Sequence, residues 1–77
     1  MKEVKQGVAT YRNCTIKYTI SENVGKYIAH AHIHEPATDN IESVWSDESN
    51  PFASEGTAVV EIINMAKKVI DEIYENK

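Results

Sequence analysis

The residues best placed by type and spacing to do chemistry are His30, His32 and His34, which are all the histidines of the chain. They alternate with Ala31 and Ile33. On an extended strand, side chains at i and i+2 project the same way about 6.6–7 Å apart, so neighbouring imidazoles can reach a shared ion. Glu35 or Glu42 would add a carboxylate toward the roughly four ligands that zinc takes. Zinc or another transition metal is therefore the cofactor such a row would hold, and His30, His32 and His34 are its candidate ligands. Three collinear histidines do not converge on one ion unless the strand bends. The plainer expectation is a solvated row and no cofactor.

Cys14, with a histidine as base, has the residue types of a nucleophilic pair. It falls in phase with Ile16, Tyr18 and Ile20, however, and buried thiols behave as small hydrophobes. Asp47, Glu48 and Glu55 gather acids in one stretch, but paired carboxylates need a cleft to separate their pKa values. A solvated acidic loop is expected there. Trp45 near this loop is read as a core side chain rather than a recognition aromatic. No nucleophile, base and pocket come together, so no catalytic residue is assigned and the chain is not expected to be an enzyme.

These residues are carried by elements that the periodicity defines. Cys14, Ile16, Tyr18 and Ile20 alternate with Thr15, Lys17 and Thr19, which is the pattern of a half-buried strand rich in β-branched and aromatic residues. Val8 to Tyr11 either pairs with it through a turn at Arg12-Asn13 or continues it past a bulge. The stretch 21–25 supplies turn chemistry, with Asn23 and Gly25 suited to positive φ. A second strand follows, with Tyr27, Ala29, Ala31 and Ile33 on its apolar side. After a turn over 36–40, a third strand runs from Ile41 to about Ser46. There Ile41 and Trp45 are placed inward, because together they carry more apolar area than Val44. Ser54 reads as a helix N-cap with Glu55 in the first turn. Val59, Ile62, Ile63, Ala66, Val69, Ile70 and Ile73 then draw a stripe at helical spacing.

The expected fold class is α+β: a three-stranded antiparallel sheet, with a short extra N-terminal strand as an option, and one long C-terminal helix packed on one face. The order is β-β-β-α. Residues 1–77 form a single domain, with 1–7 flexible, strands at about 8–20, 26–34 and 41–46, and the helix at about 55–75. A chain of this length buries only about 60–65% of its unfolded surface. With 42% hydrophobic and 26% charged residues, its composition is that of a globular protein.

The net charge of −4 argues against nucleic acid, whose binding draws on clustered Lys and Arg. No apolar run approaches the roughly 20 residues that span a bilayer, so no membrane partner is expected. One cysteine allows no intrachain disulfide, and with no signal-peptide pattern the expected location is cytoplasmic. Nothing in the sequence covers the second face of the sheet. Lys17, Ile28, His30, His32 and Val44 are assigned to it as interface candidates. The expected function is a non-catalytic protein-interaction or self-association module, with a protein partner or a second copy as homodimer. The alternatives are a metal-binding protein using the histidine row and an antitoxin-like regulator.

Two resemblances accompany this reading. The run Tyr11-Arg12-Asn13-Cys14-Thr15-Ile16, then Phe52-Ala53-Ser54-Glu55, Ala58 and Ile70-Asp71, resembles a group of small stand-alone bacterial β-β-β-α proteins of unknown function. It implies the fold and no activity. The order of elements is also similar to HicB-type antitoxins, whose Pro-Asp-Leu-Pro-Gly segment is missing here; that resemblance is what implies the antitoxin-like alternative.

Overall fold

The computed structural model describes residues 2–75. Its elements are β1 (Lys2–Tyr11), β2 (Cys14–Asn23), β3 (Lys26–Glu35), β4 (Asn40–Trp45) and α1 (Glu55–Glu75). The four strands form one antiparallel meander in the order β1-β2-β3-β4. The class and the β-then-α order are as expected, and the sheet has four strands: the optional N-terminal strand is present, and it is longer than expected. Lys2 to Gly7, expected as a flexible lead, belong to β1, which is a full strand paired with β2 from Lys2↔Glu22 to Tyr11↔Cys14. A register shift between Glu3 and Lys5 interrupts the ladder. Such a bulge, with Lys2 and Lys5 beside it, suits an edge strand that must not recruit another.

Both tight hairpins turn on two residues with positive φ, as the type I′ turn demands. In the first these are Arg12 (φ 50°) and Asn13 (φ 68°). In the second they are Val24 (φ 52°) and Gly25 (φ 75°), so Val24 and not Asn23 takes the left-handed position. A β-branched side chain is strained there.

α1 lies mainly over the two central strands, β2 and β3. Ser54 caps it as expected: its Oγ accepts the Thr57 amide at 3.1 Å. The fully buried helical residues are Ala58, Ile62, Ala66 and Ile70, one every fourth position. They meet Cys14, Ile16, Ile20, Ala29, Ala31 and Ile33 from the sheet. Alanines on both sides, Ala29 and Ala31 on the sheet and Ala58 and Ala66 on the helix, let the two approach closely. Toward β1 the helix gives little cover. There the Tyr18 ring lies over Gly7, and a Cβ at position 7 would collide with it.

β4 is turned over relative to expectation. Val44 is buried at 7% exposure, while Ile41 (67%) and Trp45 (61%) are open. The cause is register: Val44 pairs with Ala31 and Trp45 with His30, so Val44 shares the helix side. Ser46 follows inward and its Oγ accepts the Ala29 amide at 2.8 Å. Beyond it the chain leaves over 47–50 and returns to β3, where Phe52 and Tyr27 exchange backbone hydrogen bonds of 2.7 and 2.9 Å.

Candidate binding face

Among the described residues, no other element covers the side of the sheet away from α1. Pairing across the four strands arranges it in rows. Thr10, Thr15, His34 and Ile41 form one. Val8, Lys17, His32 and Ser43 form the next, and Gln6, Thr19, His30 and Trp45 the third. No acid occurs in these three rows, in a chain that carries twelve acids. Ile28 extends the face beside Ser21.

The expected interface residues Lys17, Ile28, His30 and His32 therefore lie together on this face, and Val44 does not; it is core. Three residues missed by the sequence reading belong in its place: Val8 (63% exposed), Ile41 and Trp45. A signal for the last two was present. If the β3–β4 loop is the four residues 36–39, Glu35 pairs with Asn40, and Trp45 must join His30. Placing the turn one residue longer flips every side chain of the strand.

The histidines are engaged one by one. His30 stacks on Trp45, with ring centroids 4.6 Å apart and 22° between planes. His32 meets His30 edge-on at 5.5 Å, and its Nδ1 bonds the Ser43 hydroxyl at 3.0 Å. His34 Nε2 lies 2.6 Å from Asp39 Oδ1. Among the described residues no three His, Cys, Asp or Glu side chains form a group that could hold a metal ion. Glu35 and Glu42, considered as added ligands, fall in the opposite phase of their strands; Glu35 is buried and accepts from the Thr38 hydroxyl. A shallow depression of about 530 Å³, lined by Thr15, Lys17, His32, Ile33, His34 and Ile41, lies on this face, and another of about 410 Å³ lies beside it at Gln6, Val8 and Thr19.

A second polar group gathers where the first hairpin meets the end of α1. The Arg12 guanidinium and the Tyr11 hydroxyl donate to Asp71 at 2.8 and 2.9 Å. The Tyr74 hydroxyl donates to the Arg12 carbonyl at 3.2 Å and lies 3.6 Å from Cys14 Sγ. Arg12 also sits over the Tyr74 ring, 4.7 Å from its centroid. The Arg12 and Tyr11 hydrogen bonds hold the Asp71 carboxyl below the usual carboxylate range. The bond to Asp71 in turn pushes the Tyr11 phenol up, and the one to Cys14 does the same for Tyr74. Cys14 is buried within this latch, as expected of a packing thiol. Tyr11, Arg12, Cys14 and Asp71 carried the first resemblance, and here they join one end of the sheet to the last turns of the helix.

No family model matches the chain, nor does any curated protein or solved structure. Among the described residues no helix is long and apolar enough to cross a membrane.

Proposed function

We propose that the chain is a non-catalytic protein-interaction module whose binding element is the sheet face left bare by α1. One observation carries this reading. Of the five exposed large hydrophobic residues among those described, Val8, Ile41 and Trp45 share that single face, while Val24 sits at a turn tip and Val60 on the outer side of the helix. The three stand on its two edge strands, Val8 on β1 and Ile41 and Trp45 on β4, with Lys17, His32 and Ser43 between them, and apolar side chains set among polar ones are the make-up of a contact surface. Threonines, serine and histidines between them add hydrogen-bonding groups, and interface cores are depleted of acids as these rows are.

The test uses partners captured by the full chain, identified, purified and titrated against it. Trp45→Lys is expected to weaken such binding at least tenfold while the melting temperature stays within a few degrees. Val60→Lys, on the helix exterior, is the control and should leave binding unchanged. Equal binding by wild type and Trp45→Lys would remove the reading.

A further inference from the structure

We infer that the partner of the bare face is a second copy of this chain, docked face to face about a two-fold axis that runs between β2 and β3, close to the strand direction. The inference rests on the binding-face reading above and commits it to one occupant.

Size permits it. Three strands about 34 Å long and β4 about 20 Å long, at about 4.8 Å spacing, give roughly 600 Å² in projection. Side-chain relief raises this toward the ~800 Å² per partner of a standard stable interface. Sheets that pack face to face keep their strands within about 30° of one another, so aligned stacking of two such sheets is ordinary geometry.

The arrangement of side chains then selects the axis. Two in-plane axes bring the faces together. An axis across the strands lays each strand on its own copy. Lys17 would then meet Lys17 of the second copy at the centre, and no acid in the three rows would relieve the pair. An axis along the strands instead exchanges β1 with β4 and β2 with β3. Each Lys17 now faces His32 of the second copy, a ring able to accept from it, and the two lysines stand one strand spacing apart instead of head to head.

The edges fit as well. On β4, small Ser43 lies between Ile41 and Trp45, so these two stand as walls on either side of a notch. Val8, on β1 in the same row as Ser43, is brought over that notch. Each Val8 therefore enters between Ile41 and Trp45 of the second copy, and the face's three most exposed apolar residues are buried by one another. A partner without this notch-and-knob pair would need to supply both separately.

The experiment combines sedimentation of the full chain over a concentration series, iodide quenching of Trp45 on the same samples, and cross-linking. Trp45 is the one tryptophan, so its emission reports on this face alone. Val8→Cys and Ser43→Cys chains are prepared separately, and Cys14 stays buried in both. A short bis-maleimide is added to each and to their mixture. The expected result is a dimer in which Trp45 quenching falls severalfold as the dimer forms, with cross-linked product from the mixture and none from either variant alone. A Val8→Cys chain that cross-links to itself would overturn the axis and favour the crossed arrangement. A chain that stays monomeric at every concentration would overturn the second copy, leaving the binding-face reading to the partner titration. A dimer with Trp45 quenched as freely as in the monomer would overturn both, because the contact would then lie at an edge strand.

Discussion

The two faces of one sheet differ in what chose their residues. Under α1, the apolar core positions are set by volume: isoleucines where there is depth, and alanines where the helix crosses closely. On the bare side, the same strands carry threonine, lysine and histidine, and their largest apolar side chains point at water. Strand alternation requires that one face differ from the other, but it does not require the exposed one to hold an indole and two branched aliphatics. The covered face is thus explained by folding alone and the bare face is not.

The sharpest way to test this contrast is to remove side chains from each in turn. Ile62→Ala, within the covered core, should destabilise the chain by about 2–5 kcal/mol, since both transfer energy and a cavity are lost. For so small a domain that is a large share of the total stability. His32→Ala on the bare face should stay within about 0.5 kcal/mol. Urea titrations at low protein concentration, where any association is suppressed, measure both. Equal effects would mean that the bare face belongs to the folding core after all.

How much of this was legible from the sequence follows the same division. The helix was legible to its ends, because a long stripe at helical spacing, an N-cap serine and an acidic first turn agree with one another. So was the inward phase of β2 and β3, where alternation is clean. β1 was half visible: Val8 to Tyr11 suggested a hairpin arm, but Lys2 to Gln6 carry only one apolar residue, Val4, and gave no period. β4 went wrong for a reason of register. Apolar area favours Ile41 and Trp45 over Val44, but a loop one residue shorter sets the register and overrides it. The candidate site inherited that error, gaining Val44 and losing Ile41 and Trp45. The latch was invisible as such, since Tyr11, Arg12 and Asp71 lie about sixty positions apart and periodicity does not pair residues across such a gap.

Between the faces lie the turns, which belong to neither and carry a cost of their own. Val24 holds φ 52° with its side chain 94% exposed, so it suffers left-handed strain and gains nothing from packing. Asn tolerates that conformation and, with Gly25, makes the favoured Asn-Gly pair of a type I′ turn. Val24→Asn should therefore stabilise the chain by about 1 kcal/mol, seen as a later denaturation midpoint at unchanged slope. A loss of stability would show that the side chain at 24 does something other than fill a turn. Ser54→Ala, by contrast, should destabilise by about 1 kcal/mol through the lost cap.

The smallest expected effect is at the latch, where the covered face ends and partly solvated groups take over. Asp71 is held ionised by Arg12 and Tyr11, so its carboxyl titrates lower in the folded chain than in the unfolded one. A lowered carboxyl contributes stability above its unfolded value, near pH 3.9, and that contribution is lost as pH falls through the folded value. The Tyr11 phenol is raised, so its contribution is present below about pH 10 and lost as pH climbs through the raised value. The latch therefore works across the neutral range and fails at both ends. Asp71→Asn should lower the melting temperature slightly at pH 7 and flatten the fall in stability as pH drops below about 4. Asp47 is the internal control, because its carboxyl is also lowered but by the Ser49 hydroxyl and amide, within the exposed loop over 47–50. If Asp47→Asn flattened the acid limb and Asp71→Asn did not, the tie between hairpin and helix would hold by packing, with Arg12 over the Tyr74 ring, and not by the carboxylate.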